Sequence, residues 1–298
     1  MKRFGLRVDV CHLTALTEGV PPLLDLFRRT NVRATFFVAL GPDNAGRGGL
    51  RRIFQPGFLR KMWRSRAWKM YGWKTITAGW FGAPNVIADA GAAVLRALAE
   101  SPHEIGLHGW DHAAWQDRME QWSVGDVAEH LRNASDAYER IFGRKPLSSA
   151  APGWRISPRL LRANDLHEFA YASDSRGECA FRPAVDGTAL TTIQIPLTLP
   201  TLDEWMALGQ SAPSFFSEMI SRIDQAPFAV LAVHAEAEGR LYLRDFAGFL
   251  ETAASRGLVP VPLGDVARDL GRVEPHAVSM GELPGRAQRV LIQEQRQS

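Results

Sequence analysis

At 298 residues the chain is long enough to bury a full core, as one large α/β domain or as two smaller ones. Its 46% apolar and 22% charged content is that of a globular protein, and a formal net charge of only +3 argues against a whole-surface attraction to nucleic acid. Two cysteines, Cys11 and Cys179, exclude a disulfide framework and predict a reducing compartment. No stretch reaches the ~18 apolar residues of a membrane span, and Arg7 and Asp9 interrupt any signal-peptide core. The expected location is the cytoplasm.

Strand-like and helix-like runs alternate along the chain. FGLRVDV (4–10) reads as a strand, GVPPLLDLFRRT (19–30) as a helix entered through a Pro-rich turn, and RATFFVA (33–39) as a second strand. Helical spacing returns at 86–101, a short strand at 103–110, and a long amphipathic helix at 124–142, closed by Gly143. LSSAAP, FAYASD, LTTIQIP and FAVLAVH are further strand candidates, with helices near 213–224 and 242–256 and a last strand at LVPVPL (258–263). RAQRVLIQEQRQS at the C-terminus is polar and is expected to fray. The alternation predicts a mostly parallel sheet, open or closed into a barrel, with its chemistry at the C-terminal ends of the strands. Asp9, Cys11, His108, Asp174 and His234 all fall at or just past such ends.

One segment breaks the rhythm. Between Asp43 and Asp89 the chain has nine Lys or Arg, no acidic residue and four of its nine tryptophans. Trp63, Trp68 and Trp73 interleave with Arg60, Lys61, Arg64, Arg66 and Lys69. Rings for the acyl boundary beside cations for anionic headgroups suit an interfacial helix. A solvated basic loop, or a contact with single-stranded nucleic acid, has a related composition; the amphipathic pattern favours the membrane surface.

Two short motifs carry possible metal chemistry. HGWDH places His108 and His112 where two imidazoles can hold one ion from a helical turn or tight loop. RVDVCH supplies Asp9, Cys11 and His12 as candidates for a third ligand, which would leave a position open for water or substrate. His234, closing FAVLAVH, is either a core histidine bonded to backbone or a proton donor to a leaving group.

Ordered phrases along most of the chain carry a family resemblance: GLRVDV, EGVP, GPDN, GFLRKM with YGW, HEIGLHGWDHAAWQ, SAAPGWR, SDSRG, FRP, QIPLTLPTLDE and VHAEAEG. The sequence resembles the polysaccharide deacetylase (NodB-homology) superfamily. Within it, it is most similar to the deformylases of 4-deoxy-4-formamido-L-arabinose-phosphoundecaprenol and the related undecaprenyl-phosphate amino-sugar deacetylases. The resemblance implies a distorted (β/α) barrel over 1–270, with an insertion at 45–85 and a C-terminal tail at 271–298. It implies Asp9 as catalytic base, His108 and His112 as metal ligands, His234 as general acid, and Asp174, Arg155 and Arg176 as matches to further motifs. Two departures stand out. Cys11 occupies the position of a ligand aspartate, where a thiolate would still suit zinc, and Ser149 and Ala150 stand where an arginine is usual.

The implied cofactor is one divalent transition metal ion, zinc foremost, with cobalt, nickel or manganese as alternatives. The implied reaction is hydrolysis of an N-acyl group from an undecaprenyl-phosphate-linked amino sugar, a step toward lipid A decoration and resistance to cationic antimicrobial peptides. The implied setting is the cytoplasmic face of the bacterial inner membrane, against anionic lipids. Because CHLTALT departs from the deformylase pattern, an N-acetylhexosamine substrate is a second expectation. A non-catalytic lipid- or sugar-binding protein that lost its metal at Cys11 is a third.

Overall fold

The structure is a computed structural model that describes residues 1–46 and 83–295. The basic, aromatic-rich stretch around Arg60 to Trp73, and the membrane contact expected of it, lie outside the described residues.

The strands are β1 (Lys2–Val10), β2 (Thr35–Val38), β3 (Glu104–Leu107), β4 (Ser148–Ser149), β5 (Tyr171–Ala172), β6 (Arg182–Val185), β7 (Thr188–Ala189), β8 (Ile193–Gln194), β9 (Val230–His234), β10 (Leu258–Val261), β11 (Pro275–Gly281) and β12 (Val290–Gln293). Eight of them form one parallel sheet in the order β10-β1-β2-β3-β4-β5-β8, with β9 also paired to β1. β1 is the hub: along one edge its first half pairs with β10 and its second half with β2, and along the other edge it pairs with β9. Covered on both faces, it is buried from Phe4 to Val10, as a central parallel strand should be. Past β8 the sheet curls toward β9, where Leu199 N–H donates to the Val230 carbonyl (3.3 Å) and Val230 N–H to Thr198 Oγ1 (3.0 Å).

The helices pack outside the sheet, and their ends follow local chemistry. Helix Val124–Phe142 starts in a capping box of Ser123 and Asp126 and stops at Gly143 in the left-handed conformation. Helix Val20–Thr30 opens with proline in its first turn and closes on left-handed Asn31. The single helix predicted over 86–101 is instead Ile87–Ala90 and Ala92–Ala99, divided at Gly91. A Cβ there would lie 2.2 Å from Leu16 Cδ2, so glycine permits the close approach at the cost of a break.

The expectation that the C-terminal residues fray is wrong for 290–293. β12 pairs antiparallel with β11, and these strands join β6 and β7 in a second sheet. Val290 and Leu291 are fully buried, and Arg176 exchanges backbone hydrogen bonds with Leu291 and Gln293, both 2.8 Å. Polar flanks masked a four-residue strand with three apolar residues, Val290, Leu291 and Ile292.

Candidate metal centre and active site

The site forms where β1, β3 and β9 end. Asp9 is in register with His234 on β9 and with Phe37 on β2. The chain continues from β1 into Cys11 and His12, and from β3 into His108. Cys11 Sγ lies 3.7 Å from His108 Nε2, and the rings of His108 and His112 are 5.1 Å apart. Ligand atoms of Cys11, His108 and His112 all fall within 4.8 Å of one another.

The turn that carries the histidines is held from several sides. His108 Nδ1 donates to the Ala150 carbonyl (2.9 Å), which leaves Nε2 as the lone-pair nitrogen facing Cys11. Asp111 caps helix His112–Arg118 by accepting from Ala114 N–H (2.8 Å). Asn44 donates to the other Asp111 oxygen (2.7 Å), while Asp43 accepts from Leu13 N–H (3.2 Å), so the GPDN phrase ties both ligand-bearing loops together. The imidazole of His130 lies 3.1 Å from the Trp110 and Asp111 amide nitrogens. Burial drops the His130 pKa to about 4 and keeps the ring neutral.

Asp174, at the end of the β5 segment, reaches the metal centre through the backbone. Its carboxylate accepts from Ala151 N–H (2.7 Å), Asn164 Nδ2 (2.7 Å) and Gln194 Nε2 (3.0 Å). It thereby fixes the Ala150–Ala151 peptide, whose carbonyl orients His108. Arg155 turns to helix His112–Arg118 and beyond: it donates to the Gln116 carbonyl and to Glu120 Oε1 (2.7 Å), and its own carbonyl accepts from Trp115 Nε1 (2.6 Å). Arg176 pairs with buried Glu204 at 2.9 and 3.2 Å.

Several residues of the site escaped the sequence reading. Arg7, fully buried on β1, clasps Asp9 through Nε–Oδ1 (2.8 Å) and Nη2–Oδ2 (2.7 Å). Its Nη1 is anchored on the Ser173 carbonyl (2.6 Å), and its guanidinium lies over Phe37 and Trp154. Trp154 has a left-handed backbone (φ 55°), a strained state for a bulky residue. Its ring is flanked by the Arg7, Arg176 and Arg286 guanidiniums and stands edge-on to His234 at 6.3 Å. Asp203, Glu236 and Glu238 surround His234 electrostatically. The signals were available, in an arginine inside an apolar strand and acids in the phrases PTLDE and VHAEAEG, but nothing local assigned them partners.

The charge states are set by these neighbours. Burial pushes the Asp9 pKa up, but Arg7, His108 and His234 outweigh it and bring it down to about 2. Burial lowers His108 to about 4, so it is a neutral imidazole. Burial lowers His234 as well, yet the carboxylates of Asp203, Glu236, Asp9 and Glu238 more than compensate and hold it above its ordinary value. Burial raises the Cys11 thiol well above its usual range, and Glu236 and Asp9 add to this. The thiolate therefore forms only with a cation beside it. A soft sulfur, an oriented imidazole nitrogen and a second imidazole suit a divalent ion such as zinc with a coordination position to spare.

The sequence profile of the polysaccharide deacetylase family matches residues 2–172. A probable 4-deoxy-4-formamido-L-arabinose-phosphoundecaprenol deformylase ArnD from Wigglesworthia glossinidia brevipalpis is 33% identical over 271 residues, 90% of this chain and 94% of that protein. The chain belongs to the polysaccharide deacetylase family. Membership makes it a hydrolase of carbon–nitrogen amide bonds, and its curled parallel sheet is the distorted (β/α) barrel of that family. The crystal structure of a probable polysaccharide deacetylase from Pseudomonas aeruginosa PAO1 superposes with TM-score 0.59 at 17% identity, over 89% of each chain. A family 4 acetyl xylan esterase from Clostridium thermocellum, solved with a cobalt ion, gives 0.52 at 18% identity over 89% of this chain and 90% of that one. Among the described residues of this family member, no helix is long and apolar enough to cross a membrane.

Proposed function

We propose that this deacetylase is a metal-dependent N-deformylase of an undecaprenyl-phosphate-linked 4-formamido-arabinose, serving the decoration of lipid A with a cationic sugar. The observation that carries the reading is the Cys11, His108 and His112 cluster, within 4.8 Å, beside a carboxylate held by Arg7 and an acid-ringed histidine. The probable formamidoarabinose-phosphoundecaprenol deformylase that is 33% identical supports the choice of substrate, and the cobalt ion of the acetyl xylan esterase supports a divalent metal.

Cys11, His108 and His112 would hold the ion. Bound there, a divalent metal polarises an amide carbonyl and lowers the pKa of a water molecule. Asp9, kept ionised by Arg7, takes a proton from the attacking water. The water oxygen bonds to the formyl carbon, the C–N bond breaks, and His234 delivers its proton to the departing nitrogen, since an amide anion is a poor leaving group. The products are formate and the free amino sugar. Asp174 acts at a distance by fixing the peptide that orients His108.

A short-chain formamidoarabinose phosphate lipid, incubated with purified protein and followed by mass spectrometry, tests this reading. Loss of the formyl mass is expected. Hydrolysis of an N-acetylhexosamine analogue in its place would move the substrate to the hexosamine class. Protein that purifies without stoichiometric metal and hydrolyses neither would be a non-catalytic homologue.

A further inference from the structure

Glu236 follows β9 two positions after His234 and has no part in the hydrolysis described above. The residue is only 4% exposed. Its Oε1 lies 3.8 Å from His12 Nε2, and its Oε2 is buried with no hydrogen-bond partner among the described residues. A buried carboxylate oxygen left unmatched is costly and calls for a ligand. Glu238 also leaves one oxygen unmatched, but its other oxygen is committed to the His234 backbone N–H at 2.8 Å. Glu236 has no such backbone task. Its charge acts on both Cys11 and His234. Glu236 is nearly as buried as Asp9 and His108, which are 1% exposed each.

Hydrolysis turns a neutral amide into an amine that is protonated at neutral pH. That ammonium is born beside His234, where the carboxylates of Asp203, Glu236, Asp9 and Glu238 gather. Asp9 is held by Arg7, Glu238 by the His234 backbone and Asp203 by Thr201, which leaves Glu236 as the carboxylate with an oxygen to give. We propose that the Glu236 carboxylate is the recognition group for the nitrogen-bearing carbon of the sugar, taking a hydrogen bond from the bound substrate and ion-pairing the ammonium after cleavage. The proposal rests on the amino-sugar reading above and narrows it: the site selects sugars that leave as primary amines.

The test is calorimetry on full-length, metal-loaded protein with two matched pairs of soluble probes. One pair is 4-amino-4-deoxy-L-arabinose 1-phosphate and L-arabinose 1-phosphate; the other is glucosamine 1-phosphate and glucose 1-phosphate. The parent protein should bind one amine about tenfold more tightly than its hydroxyl counterpart, the scale of a charge-assisted hydrogen bond. Glu236→Gln should abolish that preference, Glu236→Asp should keep part of it, and Glu238→Gln should leave most of it. An unchanged preference in Glu236→Gln, an equal loss in Glu238→Gln, or no amine preference in the parent would overturn the proposal. Preference within the hexosamine pair alone would sink the pentose reading and uphold the role of Glu236. Amine preference without hydrolysis of any amide would do the same for the deformylase reading.

Discussion

Arg7 and Asp9, neighbours on the same face of β1, form a two-pronged ion pair at 2.8 and 2.7 Å with both side chains essentially out of water. Side chains two apart on a strand point the same way, so the strand that presents the proposed base also supplies its counter-ion. Ser149 and Ala150 stand where the family resemblance leads one to expect an arginine, and here it is the Arg7 guanidinium that holds Asp9. Nothing at 149–150 is needed to hold Asp9 ionised.

Removing that counter-ion should be expensive. Arg7→Met leaves a buried carboxylate alone and should destabilise the fold by about 3–5 kcal/mol, whereas Arg7→Lys should lose less. Denaturant melts of the two variants provide the measurement. Equal stability of Arg7→Met and the parent would show that Asp9 has another partner.

The base and the ligands should separate in their effects. Asp9→Asn preserves shape, so turnover should fall by roughly 10²-fold or more while metal content stays stoichiometric. His108→Ala should lose metal and turnover together. Full turnover in Asp9→Asn would remove the carboxylate from the mechanism.

Cys11 gives a spectroscopic handle. If its thiolate is a ligand, cobalt-loaded protein should show sulfur-to-metal charge transfer in the near ultraviolet. Cys11→Asp should keep metal and shift preference toward harder ions, and Cys11→Ala should bind weakly. A cobalt complex without the sulfur band would transfer the third ligand to His12 or Asp9.

Acid and neutral pH should act on stability in opposite senses. Asp9 is depressed from 3.8 to about 2 as Arg7 overrides burial, so its stabilisation is present above pH 3.8 and lost as pH falls through 2. Glu238 is raised from 4.5 to about 7, burial being the main cause and His234 opposing it. The unfolded chain releases that proton first, so stability falls as pH climbs from 4.5 to 7 and levels off above. Glu238→Gln should flatten this slope and, at pH 8, recover on the order of 2 kcal/mol. Thermal melts from pH 4 to 8 report it, and a slope identical in parent and variant would count against Glu238 as its source.

Membrane attachment is expected of the basic stretch around residues 46–80. Each cation near an anionic surface contributes about 1 kcal/mol, which salt screens. Replacing Arg60, Lys61 and Arg64 by glutamate should release the protein from anionic vesicles in sedimentation at low salt. Cosedimentation equal to the parent's would mean the stretch has no such role.

Periodicity and strand-end chemistry made much of this protein legible from sequence. The parallel α/β alternation, the helix at 124–142 with its cap, and the family were all readable, because each is written in residues close together along the chain. So were Asp9, His108, His112 and His234 as candidates, since strands that end in polar residues are local patterns. Tertiary structure decided what those residues touch. The match of Arg155 to a family pattern says nothing of its bonds to Gln116 and Glu120. Arg7 and Asp9 share one strand, but the burial that drives them together comes from its neighbours; Asp174 reaching His108 through Ala151 and Ala150, and the carboxylates gathered around His234, depend on segments far apart in sequence lying side by side. The strand at 290–293 was hidden for the same reason. Three apolar residues in a polar tail acquire meaning only when β11 offers an edge and Arg176 a pair of backbone bonds. Pairing energy comes from the neighbour, and the neighbour is not written in the segment itself.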